Sequence, residues 1–164
     1  MQENFFTRGV ERIYPNVEDF KKRLETGPIK IYFGIDPTGP TLHLGHATVL
    51  LKLRELQDAG HQVIVLYGDF TAQIGDPTGK LSTRKQLTLE EIKLNYQKYR
   101  KQIGKILDLK TIVFKKNNDW LGKLKLADVL KVASEFTVAQ LLERDMFQER
   151  MKAEQPVFFH ELFY

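Results

Sequence analysis

Apolar and polar residues follow two different rhythms along this chain, and the switches between them predict its elements. Residues 29–35 and 62–67 are short runs rich in β-branched and aromatic side chains, bounded by Gly and Pro, which predicts strands. The second, Gln-Val-Ile-Val-Leu-Tyr, is almost continuously apolar and suits a strand buried on both faces. Between them a helix is expected from His43 to about Ala59, with Gly60 placed to cap its end. A strand, helix and strand with so short a connection imply a parallel pair joined by a right-handed crossover. Thr88-Leu89-Glu90-Glu91 is a capping box, and it opens a helix that turns Ile92, Tyr96, Tyr99, Ile103, Ile106 and Leu107 inward. Lys93, Lys98, Arg100, Lys101 and Lys105 fall on its outside, and a third strand is expected at 111–114. Upstream, residues 5–24 read as a short helical lead-in broken at Tyr14-Pro15, with Val17, Phe20 and Leu24 at helical spacing.

From 124 to 164 the pattern is helical throughout. Ala127, Leu130 and Val132 lead into Phe136, Thr137 caps a turn with Val138, Leu141 and Leu142, Phe147 and Met151 follow, and Pro156 opens a last segment. These stripes are expected to be core, as is Trp120. The fold class that results is α/β: the first half of a doubly wound parallel sheet over 1–120, followed by an all-helical portion over 121–164.

Composition narrows the setting. A chain of 164 residues with 42% hydrophobic content is enough for one domain with a real core. There is no cysteine, hence neither a disulfide framework nor a thiolate metal site, which fits a reducing cytoplasm. No apolar run is long enough to span a bilayer, and Met1-Gln2-Glu3-Asn4 lacks the basic-then-apolar pattern of a secretory signal, so a cytoplasmic location is expected. The net charge of +4 is unevenly spread: residues 76–116 hold eleven Lys or Arg against four acids, which leaves the remainder at −3. Such a basic segment suits a polyanion partner, or equally a solvated lysine face.

Candidate chemistry gathers at the C-terminal ends of the strands. Residues 32–46 read Tyr-Phe-Gly-Ile-Asp-Pro-Thr-Gly-Pro-Thr-Leu-His-Leu-Gly-His: a strand end, a turn full of Pro and Gly, and the opening of a helix. That order aims the N–H groups of the helix start at whatever lies beyond the strand's C-terminal end, which makes an anion site. His43 and His46 are three apart and share a face of the first turn, where both imidazoles can donate to phosphate oxygens, and Gly45 leaves room for a flat ligand on the backbone. The same residues also read as a helix cap with one solvated and one buried histidine. A second such place is 68–80, Gly-Asp-Phe-Thr-Ala-Gln-Ile-Gly-Asp-Pro-Thr-Gly-Lys, whose glycines allow close approach to a ligand. In parallel sheets ligands sit beyond the strand C-termini, where both stretches fall. Asp76 alone reads as a turn-initiating side chain, and Lys80 and Arg84 alone as solvated charges.

Taken together these residues carry a resemblance. His43-Leu44-Gly45-His46 resembles the HIGH signature of class I aminoacyl-tRNA synthetases, and Gly34-Ile35-Asp36-Pro37-Thr38 resembles the tyrosyl branch, as do Gly75-Asp76-Pro77-Thr78-Gly79-Lys80 and Asn117-Asn118-Asp119-Trp120. The resemblance covers essentially the whole chain and implies a Rossmann-like sheet of the HIGH superfamily. Its activity would be ATP-dependent formation of tyrosyl-adenylate followed by transfer to tRNA, with Mg2+ carried by the nucleotide and no metal held by the chain itself. By resemblance the catalytic residues are His43, His46, Thr38, Lys80 and Arg84. ATP would meet Gly34, Asp36, His43, Gly45 and His46, and tyrosine would meet Tyr32, Asp36, Asp76, Asn117 and Tyr164. Tyr32 would read the phenolic hydroxyl, and Lys80 and Arg84 would reach toward pyrophosphate.

Four further expectations rest on the likeness. Segment 5–24 would pack beside the active site, and the helical segment 121–164 would form a homodimer interface with Phe158 or Phe159 in it. The family pattern would also continue past these residues into the rest of the amino-acid site, a KMSKS loop and an anticodon-binding domain, so that the chain corresponds to the first half of a synthetase and by itself has little or no activity. An aromatic is common where Asn118 stands, so packing there is expected to differ. A tryptophanyl-type enzyme, a HIGH-superfamily nucleotidyltransferase and a non-catalytic RNA-binding module share parts of these features and stay open on the residues alone.

Overall fold

The computed structural model describes residues 3–74 and 87–164. Three parallel strands form one sheet in the order β1 (Lys30–Ile35), β2 (Gln62–Tyr67) and β3 (Val113–Lys116). Between β1 and β2 runs helix α2 (Leu44–Asp58), and between β2 and β3 run the short α3 (Thr71–Ile74) and the long α4 (Leu89–Ile103). The capping box at the head of α4 forms as expected: Glu91 N–H donates to the Thr88 hydroxyl at 3.2 Å, and the Thr88 amide donates to the Glu91 carboxylate at 2.8 Å.

The core lies on one face of this sheet. Leu50, Leu53 and Leu56 of α2 and Tyr99, Ile103 and Leu107 in and after α4 pack against Ile35, Val63, Val65 and Tyr67. Register fixes which strand residues share that face, since Ile31 pairs with Val63, Phe33 with Val65, and Val65 with Phe114. β2 is therefore buried on one face rather than two. Ile64 and Leu66 point to the other side and are only partly buried, because α2 and α4 both supply their apolar stripes to the same face. β3 also sits two residues later than its apolar run suggested. Lys115 and Lys116 extend it because Leu66 and Tyr67 continue the ladder, and the Lys116 ammonium lies 4.5 Å from the centre of the Tyr96 ring.

The N-terminal segment splits into a 3₁₀ turn (Glu3–Phe6) and α1 (Val17–Glu25), the latter capped by the Asn16 side chain, which accepts from Asp19 N–H. Phe5 is buried, Lys52 of α2 donates to its carbonyl at 3.0 Å, and Arg8 pairs with Glu55 at 2.6 Å. This segment thus packs on the side of α2, and none of its described residues lines the cleft beyond the ends of β1 and β2.

The C-terminal portion is helical but broken. α5 (Asn118–Leu121), α6 (Leu126–Ala133), α7 (Val138–Leu142) and α8 (Asp145–Lys152) are short, and a 3₁₀ turn (Phe159–Phe163) ends them. The expectation that their apolar stripes are core is overturned for most of them. Phe147 is fully buried, whereas Leu126, Leu130, Val132, Phe136, Val138 and Met151 are exposed, since no described element covers that side. Trp120 is likewise 47% exposed rather than core. Among the described residues no helix is long and apolar enough to cross a membrane.

Candidate active site

Beyond the C-terminal ends of β1 and β2 the chain encloses a cleft of about 1190 Å³. Its wall is first of all the turn 36–43 between β1 and α2, and that turn is held from α4. Asn95, Tyr99 and Gln102 are spaced to share one face of the helix. The buried Asn95 amide donates to the Pro37 carbonyl at 3.0 Å, Gln102 donates to the Pro40 carbonyl at 3.1 Å, and Gln102 accepts from Leu42 N–H at 2.9 Å. Tyr99 meets the Gly39 backbone between them, and burial pushes its phenol up from the ordinary value. Only Tyr99 stood out in the sequence as inward-facing; the polar residues beside it gave no sign because their partners are backbone atoms about sixty residues away.

At the head of α2, His43 adopts an extended backbone conformation and serves as the N-cap. Its Nδ1 accepts from Gly45 N–H at 3.1 Å, and Nδ1 of His46 accepts from His43 N–H at 3.2 Å. A neutral imidazole that accepts at Nδ1 carries its proton on Nε2. Each histidine therefore takes up one backbone donor of the helix terminus and re-presents a donor one ring further out. The rings lie 3.9 Å apart between centroids, tilted by 42°. Burial first, and then the neighbouring His43, hold the pKa of His46 below the usual histidine value, so it is neutral at pH 7. The residues do form a cap, but neither histidine is core, since His43 is exposed and His46 half-buried; the cap bonds at Nδ1 leave the ring protons on Nε2. Gly45 has a local part as well. A Cβ there would stand 3.0 Å from His43 Cε1, so the absence of a side chain lets the His43 ring lie close against the helix start.

On the other side of the cleft stands Asp36. Its Oδ1 accepts from the Thr71 hydroxyl at 2.7 Å and its Oδ2 from the Tyr164 hydroxyl at 2.6 Å. Thr71 is in turn met by the Asn117 amide at 3.1 Å, while Asn117 Oδ1 accepts from Phe70 N–H at 2.8 Å. Asn117 is buried at the end of β3 and its own N–H donates to the Tyr67 carbonyl, so it ties β2, α3 and Asp36 together. Gly68 makes this possible, because a Cβ on it would lie 1.7 Å from Asp36 Oδ1. Thr71 was not singled out in the sequence, and Gly68 only as one glycine of the stretch 68–80; its closeness to Asp36 was not legible there.

Gly34, Asp36, Thr38, His43, Gly45, His46, Asn117 and Tyr164 are therefore brought to one cleft. Tyr32 is not among the lining residues: it is 72% exposed on the open face of the sheet, the face it shares with Gly34 and Leu66, which stand nearer the strand ends and do line the cleft. Asp76, Lys80 and Arg84 lie outside the described residues. Among the described residues no group of three His, Asp or Glu is arranged to hold a metal ion.

In sequence and fold the chain is similar to known proteins. Residues 24–164 match the family model for class I tRNA synthetases of the tryptophan and tyrosine type. The chain belongs to that family. A tyrosine–tRNA ligase of Carboxydothermus hydrogenoformans is 51% identical over 99% of the chain, which spans 41% of that relative's length. Among solved structures, a C-terminally truncated mitochondrial tyrosyl-tRNA synthetase of Aspergillus nidulans overlays 91% of the chain, and 46% of its own, with a TM-score of 0.70 and 28% identity. The tyrosyl-tRNA synthetase of Archaeoglobus fulgidus, solved with L-tyrosine, overlays 98% of the chain and 47% of its own, with a TM-score of 0.69 and 25% identity. The chain thus corresponds to the first half of a family member, and its relatives favour the tyrosyl branch over the tryptophanyl, nucleotidyltransferase and RNA-binding alternatives.

Proposed function

We propose that the chain carries the ATP subsite and the amino end of the tyrosine subsite of a tyrosine–tRNA ligase, acting in the cytoplasm. The observation that carries this reading is the pairing, within one cleft, of two imidazoles that cap a helix start through Nδ1 with a carboxylate that accepts from two hydroxyls. An α-phosphate would meet Nε2–H of His43 and His46, whose donors continue the positive end of α2. Thr38 stands beside them on the turn. The ammonium of tyrosine would meet Asp36, because each carboxylate oxygen keeps a lone pair beyond the one used by Thr71 or Tyr164.

In this reading a carboxylate oxygen of tyrosine attacks the α-phosphorus of ATP, a new P–O bond forms, and the bond to the bridging oxygen breaks as pyrophosphate leaves. No covalent intermediate with the chain is needed, so its residues act by positioning and by charge stabilisation. Mg2+ would arrive on the phosphates, as the family resemblance implies. Asp76 would accept from the ammonium, and Lys80 and Arg84 would draw off pyrophosphate, as the family resemblance implies. tRNA and a second copy of the chain are the remaining partners of this reading.

The test is calorimetric titration of ATP and of tyrosine, alongside single-turnover pyrophosphate release. Weak ATP binding is expected, lost in the His43→Ala, His46→Ala double variant. Release by these 164 residues is expected far below ordinary enzyme rates of about 1 to 1000 per second. Losing one transition-state donor typically costs about a hundred- to a thousand-fold, and the resemblance assigns several such donors to the longer relatives. Absence of ATP binding, or release at ordinary rates, would overturn the reading.

A further inference from the structure

We propose that Arg150 and Glu161, which lie outside the cleft, are positioning residues that hold the Tyr164 hydroxyl on Asp36; this rests on the reading of that corner as the amino end of the tyrosine subsite. The 3₁₀ turn that delivers Tyr164 packs against α3 but has little apolar burial of its own, with Phe159 75% and Phe163 46% exposed. What fixes it is polar. Arg150 of α8 donates from Nη1 to Glu161 Oε2 at 2.6 Å and from Nη2 to Glu161 Oε1 at 3.3 Å, with the two side chains only 10% and 12% exposed. The same Nη2 also meets the Pro156 carbonyl. One guanidinium therefore clasps both ends of the stretch 156–161, while the fully buried Phe147, one turn earlier, anchors α8. Tyr164 N–H donates to the Glu161 carbonyl at 3.2 Å, which carries the constraint from the clasp to the residue on Asp36.

Stability alone is a poor reason for this pair. Buried ion pairs are often no better than apolar residues of the same volume, and here Nε of Arg150 is buried with no hydrogen-bond partner. What the pair does supply is direction. A planar fork fixes the orientation of the Glu161 carboxylate, and through the intervening turn the bearing of Tyr164, more narrowly than side-chain packing on an exposed turn would.

The test tracks Tyr164 in the chain labelled with [13Cζ]-tyrosine, its resonance assigned by its loss in Tyr164→Phe and its unclasped position set by Asp36→Asn. In Arg150→Met and in Glu161→Gln this resonance is expected to move toward the Asp36→Asn position, while the amide spectrum of β1, β2 and α4 stays in place. Tyrosine affinity should fall by roughly ten- to a hundred-fold, the range of a lost hydrogen bond to a charged group, and ATP affinity should not change. Arg150→Met combined with Tyr164→Phe should bind tyrosine no worse than Tyr164→Phe alone, because the clasp acts only through that hydroxyl. A Tyr164 resonance unmoved in both single variants, or losses that multiply in the double variant, would overturn the proposal. If Arg150→Met does not fold, Glu161→Gln decides by the same two criteria. If the unaltered chain binds no tyrosine, the functional reading fails, while the Tyr164 resonance still decides on the clasp.

Discussion

The sheet with its two long helices and the broken helical portion after Trp120 carry similar apolar content but use it differently. In the first, Leu50, Val63, Val65 and Ile103 vanish into a single core, and that rigid body holds the turn 36–43 by side-chain bonds to backbone. In the second, Leu126, Leu130, Phe136 and Phe159 face outward, and order depends on a few polar clasps such as Arg150 with Glu161. Helical periodicity alone does not distinguish the two, because it states that a stripe exists and not what lies against it. The contrast also divides the cleft: the histidine side stands on the packed body, whereas the Asp36–Tyr164 contact bridges the two regions.

The largest effect expected from this contrast is on stability. Ile103→Ala should cost roughly 2 to 5 kcal/mol, as deletion in a well-packed core does, whereas Leu130→Ala should stay within about 0.5 kcal/mol. Urea unfolding of both variants measures the difference, and equal losses would erase the distinction between the regions.

Gly68→Ala comes next. Its Cβ cannot coexist with Asp36 Oδ1 at 1.7 Å, so Asp36 must leave Thr71, and tyrosine affinity should drop about ten-fold or more. ATP affinity at the histidine side should hold, as calorimetry with each ligand would reveal. A parallel loss of both would mean that the cleft behaves as one unit.

The exposed apolar face offers a third measurement. Phe159→Asp should shift the chain toward smaller species in analytical ultracentrifugation, since an apolar patch of this kind favours association. An unaltered distribution, or a chain already monomeric, would remove the expected self-association through Phe159.

The smallest effect is a pH dependence confined to the packed side. The pKa of His46 is lowered on folding, so as pH falls below 6.5 the unfolded chain takes up the proton first. The contribution of neutral His46 to stability is therefore complete above that pH and is lost as pH drops through the lower folded value. Between about pH 7.5 and 5.5 the parent chain should lose slightly more stability than His46→Ala, read as the difference in denaturation midpoints. An identical slope in the two would mean that His46 does not titrate differently on folding.

Much of this molecule was determined by local sequence. Period and turn chemistry specified β2 to the residue, the Thr88 capping box, and the strand–turn–helix that places His43 and His46 together, because strand, cap and turn are decided by neighbours within a few residues. The tertiary structure decided the rest. It decided that β2 buries one face more fully than the other, that Trp120 and most of the stripes of α6 and α7 stay exposed, that Tyr32 stands exposed on the open face of the sheet, and that the His43 ring lies against Gly45. Thr71, Gly68, Asn95 and Gln102 gained their parts only when strands far apart in the chain aligned their ends. The physical reason is that burial and long-range hydrogen bonds depend on which surfaces meet, and a one-dimensional pattern carries the rhythm of a face but not the identity of its neighbour.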